Sequence, residues 1–408
     1  MQLSKYIELE RKPRRGLMAL EWVALAYVAL TLLIVLFALT KLDNPQAMIW
    51  GRVRLGAITL AMWVVYRLVP CRLTRFARVL VQMSLLGWWY ADTYELNKLF
   101  PNLDPFFASV EQGLFGCQPA LVFAQHWPQA FFSELMYLAY ASYFPIIVTT
   151  VLYYFFSRYE QFERAAFVLL ASFFAFYVVF DLVPVTGPMY YYHAVGVDQV
   201  VKGVFPSVGD YFLTHTDMMT SPGWTDGPFY HVVADLHTSG ERPTAAFPSS
   251  HVGISVVCML LIWRTHNRKL FFGLLPFALL ICLATVYIRA HYAIDVVAGL
   301  VTGTLFYLLW KAPRADFWRL CLPLFAGMTI ALACYVILPT GLDLRPYRVY
   351  GSDLFAQAVR MLYATDTPLN VCPSIHVFNS VTLMMAYYRS RIFETPGRRW
   401  MRPASAVL

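Results

Sequence analysis

The sequence predicts an all-α fold, a polytopic membrane helical bundle of about ten spans. Three observations carry this expectation. Mean hydropathy is +0.54, with 59% hydrophobic and 14% charged residues, which leaves too little polar surface to cover a soluble protein of 408 residues. Apolar runs of roughly 20 residues, the length that crosses hydrocarbon, recur along the chain. Finally, 26 Tyr and 11 Trp supply rings of the kind that settle at bilayer interfaces. The formal net charge of +8 in so apolar a chain points to topology and attraction to anionic lipid, and no nucleic-acid partner is expected. Seven scattered cysteines without CxxC or metal-finger spacing predict neither a disulfide framework nor a metal site.

Taken in order, the first 19 residues are polar and basic. Leu20 to Thr40 is long enough to span and is read as a retained helix, not a cleaved leader. Further spans are expected at about 48–69, 79–97, 131–156, 165–184, 247–265, 270–289, 291–310, 319–338 and 373–388. The third is interrupted by Asp92 and Glu95. With the N-terminus cytoplasmic, about 22 of the 32 Lys and Arg fall inside, as the positive-inside rule asks. The 98–130, 185–246 and 339–372 connections then lie outside. The proline-punctuated 98–130 segment reads as a structured or interfacial cover, and 185–246 as a cap or a substrate-recognition loop.

Two polar clusters sit at the outer ends of these runs. One is Arg242-Pro243-Thr244-Ala245-Ala246-Phe247-Pro248-Ser249-Ser250-His251; the other is Arg289-Ala290-His291-Tyr292-Ala293-Ile294-Asp295. On a helix, His291 and Asp295 share a face, so the carboxylate could orient one ring nitrogen and leave the other as a lone-pair nucleophile. Ser249 and Ser250 at a helix start, with free backbone N–H groups, make a ready anion site, and His251 there is placed to protonate a leaving oxygen. Either pair alone is more often a cap. Their joint occurrence on one membrane face predicts phosphoryl transfer through a phosphohistidine.

These two motifs resemble the second and third signatures of the type 2 phosphatidic acid phosphatase superfamily. The Thr186-Gly187-Pro188 turn and the HYxxD form bring the chain close to the inositol phosphorylceramide synthase and sphingomyelin synthase branch. The resemblance covers about 131–311, a six-helix core. It implies an enzyme without metal or other cofactor, with His291 as nucleophile, His251 as general acid, Asp295 as orienting carboxylate and Ser249 and Ser250 as phosphate ligands. The chain departs from the phosphatase pattern in three places: Ser250 replaces Gly, Thr285 stands where an Arg is usual six residues before the second histidine, and Asp235 takes the place of a Lys. Phosphate charge then falls to Arg242, Arg289 or both.

The expected organisation is an N-terminal membrane segment with an outer interfacial stretch (1–130), the phosphotransferase core (131–311), and a partial second copy (312–408). In that copy Pro373-Ser374-Ile375-His376 echoes the first cluster and no second HxxxD follows. The reading favours a sphingolipid or inositol phospholipid head-group transferase, with a lipid or inositol hydroxyl as acceptor. A phosphatidic acid or polyprenyl diphosphate phosphatase is the alternative, and a non-catalytic lipid-binding or transport protein the rival from another class. The active site is expected on the extracytoplasmic side.

Overall fold

The computed structural model describes residues 4–311 without a break and, beyond them, 348–351, 353–365 and 374–390, with isolated positions elsewhere. Regular structure among the described residues is helical, apart from one isolated bridge between Leu9 and Cys71. The chain forms two compact units, Met1–Tyr307 and Leu308–Leu408. In order, the principal helices begin with α1 (Ala19–Phe37), α2 (Pro45–Leu68), α3 (Arg72–Ser84), α4 (Leu86–Asn97), α5 (Asp104–Phe115), α6 (Pro119–His126) and α7 (Ala130–Ala141). There follow α8 (Tyr143–Ser157), α9 (Tyr159–Leu182), α10 (Pro188–Val195), α11 (Pro228–Gly240), α12 (Ser250–Arg264), α13 (Arg268–Tyr287) and α14 (Ala293–Lys311), then α15 (Leu354–Thr365) and α16 (Ile375–Arg389).

Among these, α1, α2, α9 and α13 are long and apolar enough to cross a membrane; α7 and α8, bent by 41° at their junction, make a fifth if they form one span. The helices α12 and α14 are apolar but shorter. The chain is therefore an integral membrane protein. In α9, 72% of the most apolar stretch is buried against 22–33% in the other three long helices, so α9 is the central post of the first unit.

Helix starts follow local chemistry. Asn44 accepts from Ala47 N at 3.1 Å ahead of Pro45, and Asn267 caps α13 through Leu270 N at 3.1 Å. The expected span at 79–97 is corrected: the chain breaks at Leu85 into α3 and α4, and Asp92 is buried because Arg52 of α2 holds both its oxygens at 2.6 and 3.1 Å. A carboxylate this deep survives only when paired, and the pair ties α4 to α2. The 98–130 cover contains α5, which ends at Gly116 in the left-handed conformation, and α6. The expected span at 319–338 falls largely outside the described residues. The one at 373–388 corresponds to α16, 15 residues long and capped by Ser374 through Val377 N at 3.4 Å.

Close approach of α12 and α14 depends on glycine. A Cβ at Gly299 would lie 2.5 Å from Ser249 O, and one at Gly303 would meet the Gly253 backbone. Small residues four apart let the two backbones touch, the packing device expected where lipid offers no hydrophobic drive. These are the helices that carry the two clusters.

Candidate functional site

His251 lies in the first turn of α12, behind Ser249, whose hydroxyl accepts from Val252 N at 3.4 Å as an N-cap. The Ser249 hydroxyl is thus engaged within the protein, and this turn keeps for an anion its leading backbone N–H groups and the positive end of the helix.

His291 arrives by a different route from the one expected. It is not on a helix. The preceding helix α13 closes with Arg289 in the left-handed region (φ 67°) and His291 N bonded to Thr285 O at 3.1 Å. His291 and Tyr292 then form the loop into α14, and Asp295 sits in that helix's first turn. A second strut fixes the loop from outside: Met189 N bonds Arg289 O at 2.8 Å, and Gly187 (φ 90°) packs so closely on Ala290 O that a Cβ would lie 2.6 Å from it.

The two imidazoles meet, with His291 Nε2 3.3 Å from His251 Nδ1. The other nitrogen of His291, Nδ1, lies 2.7 Å from Ala246 O and 3.8 Å from Asp295 Oδ2. A carbonyl only accepts, so Nδ1 carries the hydrogen and Nε2 the lone pair, a tautomer assigned from the partners. The expected orienting bond from Asp295 is therefore corrected. Ala246 O holds the ring, and Asp295 stands just beyond hydrogen-bond reach because its Oδ2 accepts from Tyr292 N at 2.8 Å. Asp295 thus lies behind the imidazole without bonding it. Burial pushes His291 down to about 4, so the ring is neutral and nucleophilic at ordinary pH.

Arg242 is partly buried, with Nη1 on Glu241 O at 2.9 Å. Arg289 does not join the histidines by any hydrogen bond: its Nη1 reaches Thr220 O at 3.4 Å and its Nε is buried without a partner. Thr285, at the position where an Arg is usual, is fully buried with its hydroxyl turned back to Ile281 O at 3.0 Å.

Several side chains near the site went unread in the sequence. Tyr140 stacks on His251 with ring centres 4.7 Å apart, and Tyr143 lies on it at 4.4 Å. Glu241 accepts from Tyr90 at 2.8 Å and Tyr140 at 3.3 Å, and His237, 4% exposed, meets the edge of the Tyr140 ring. A signal existed, since His237 and Glu241 repeat the His-x-x-x-acid spacing directly before Arg242. The helix α4 also reaches the site. Asn97 accepts from the Thr244 hydroxyl and donates to Phe180 O, so a helix from the predicted N-terminal segment braces the strand-like stretch leading to His251. Asp104 of α5 gathers Thr186 N at 2.7 Å, Gly187 N at 2.9 Å and the Tyr292 hydroxyl at 3.0 Å, tying the Thr186–Gly187 turn to the loop that carries His291. In the second unit the Ser374 cap repeats that of Ser249; the His376 side chain lies outside the described residues.

The chain is similar to two lipid A 1-phosphatases of Helicobacter pylori. The protein of strain J99 / ATCC 700824 is 31% identical over 130 residues, 31% of this chain and 62% of that protein. For strain ATCC 700392 / 26695 the figures are 30% over 130 residues, 31% and 63%. The match thus spans somewhat less than two thirds of the relatives' own length. No solved structure matches the chain. The profile of the PAP2 superfamily matches residues 105–309, about half of the chain and a stretch that includes both histidine clusters and all of α5 but its first residue, Asp104. A match of that extent, over the segments the fold draws together around His251 and His291, makes this chain a member of the PAP2 superfamily.

Proposed function

We propose that the protein is a lipid phosphate phosphatase that works through a phosphohistidine without a metal. The observation that carries the reading is the pair of facing imidazoles, one with its Nδ1 hydrogen committed to Ala246 O and its Nε2 lone pair turned to the other at the start of α12. A lipid phosphate enters between the rings and replaces their mutual contact. Its charge is met by the α12 N-terminus and by Arg242, and it holds His251 as imidazolium. His291 Nε2 attacks phosphorus in line. The bond from phosphorus to the lipid oxygen breaks, and that oxygen takes the proton of His251. His251, now neutral, draws a proton from water, which attacks phosphorus and frees His291. Asp295 stabilises the positive charge that His291 carries in the intermediate. Ser249 and Ser250 contribute through backbone and cap geometry, and Arg289 through the turn it closes.

The similarity to phosphatases favours water as the acceptor. The head-group transferase reading, drawn from the Thr186 turn and the HYxxD form, rests on the resemblance alone. The site is read as extracytoplasmic, the N-terminus as cytoplasmic, and 312–408 as a partial copy of the motif-bearing unit. The deciding experiment incubates purified protein in detergent, without added metal, with a short-chain lipid phosphomonoester, with and without a ceramide acceptor. Phosphate release abolished by His291→Ala is the expected result. A phosphosphingolipid product would show a transferase, and equal rates for wild type and His291→Ala would end the enzyme reading. For topology, a cysteine at Thr238 should react with an impermeant maleimide in intact cells; labelling at Asn267 instead would invert the orientation.

A further inference from the structure

Behind the nucleophile loop lies a second carboxyl that no motif names. Glu111 on α5 is fully buried, and its Oε2 accepts from Ile294 N at 3.3 Å, the backbone donor just before Asp295. Its other oxygen, Oε1, has no partner, and neither has Asp295 Oδ1, also fully buried. Two carboxylates at one helix start, each with one orphan oxygen in a dry setting, cannot both keep their charge. Among the described residues no group of three His, Cys, Asp or Glu side chains is arranged to hold a cation, so a proton is the neutraliser the side chains allow. The side chains acting on Glu111 offer no other relief: Asp295 from α14 and Tyr192 from α10 are both acids.

We propose that Glu111 stands as a neutral carboxylic acid whose Oε1 hydrogen is donated to Asp295 Oδ1, so that one negative charge, not two, lies behind His291. Glu111 is then a positioning residue. It caps α14 with one oxygen and fixes the charge and orientation of Asp295 with the other, while touching neither substrate nor the reacting atoms. Burial and the Asp295 charge push the Glu111 carboxyl up to about 8, in keeping with this arrangement. The catalytic consequence rests on the phosphatase reading above; the protonation state does not.

The test uses the full chain in detergent and two readouts. Infrared spectra at pH 7 should show a protonated carboxylic acid band that Glu111→Gln removes and Asp295→Asn displaces. Independently, the ratio of phosphate release by wild type to that by Glu111→Gln should fall about tenfold between pH 7 and pH 9 as the second charge forms, the loss of the His251 proton being common to both. A band that survives Glu111→Gln, or is unmoved by Asp295→Asn, overturns the proposal, as does a ratio that stays flat across that range. If wild type releases no phosphate from any lipid, the functional reading fails while the band still decides the state of Glu111.

Discussion

Replacing Asp295 with Asn removes a carboxylate charge and the oxygen proposed to accept from Glu111, while keeping the shape of the side chain. The amide oxygen still accepts from Tyr292 N, now at 2.8 Å, and the His291 ring stays held by Ala246 O. In the proposed mechanism, what disappears is a negative charge 3.8 Å from Nδ1 of a ring that becomes cationic as it takes the phosphoryl group. With an effective dielectric of about 20, that interaction amounts to about 4 kcal/mol, or roughly a thousandfold in rate if felt fully in the transition state. Asp295→Asn should therefore lower the maximal rate of phosphate release by roughly a thousandfold with KM changed little, because the charge acts on the transition state and not on substrate binding. Size-exclusion profile and helix content should match wild type. A loss below about fivefold would refute the electrostatic role and leave Asp295 as a helix cap. A fall in KM parallel to the fall in rate would refute the assignment to the transition state.

Other predictions follow from the same geometry. His251→Ala should cost about 100-fold to 10,000-fold on an alkyl phosphate but far less on an aryl phosphate whose leaving group needs no proton, read as the ratio of the two rates. Gly299→Ala puts a Cβ 2.5 Å from Ser249 O and should destabilise by about 1–3 kcal/mol in thermal unfolding in detergent, while Gly87→Ala, with open space at its Cβ, should not. Arg52→Ala strands buried Asp92 and should cost about 3–5 kcal/mol, recovered in large part by adding Asp92→Asn. The pH dependence has a definite sign. His291 is held neutral in the fold down to about 4, whereas the unfolded ring protonates near its ordinary 6.5, so the unfolded state binds more protons between these values and stability is lost as pH falls through that window. The difference in melting temperature between wild type and His291→Gln should change with pH across that window and stay constant above it.

Much of this protein was legible as sequence. Membrane class followed from composition, because no soluble chain of this length can hide so many apolar residues. Most long helices followed from apolar run length against a fixed bilayer thickness. His251 and His291 followed from residue types whose chemistry is scarce at helix ends in a membrane. The residues around them did not follow, for a physical reason. Ala246 orients His291 through a carbonyl that every residue has, so its side chain carries no trace of the role. Asp92 looked like a flaw in a span because its partner Arg52 lies 40 residues away on another helix. Asp104, Glu111 and Glu241 are ordinary acids in sequence. They matter only because α4, α5 and α11 pack over the ends of α12 and α14, and glycines let those two helices touch. Residue types and run lengths alone carried the solvent, most of the helices and the two candidate histidines. Which group holds the His291 ring, and which carboxyls are buried behind it, came from the packing, because hydrogen bonds and burial depend on distances between segments that sequence order does not contain.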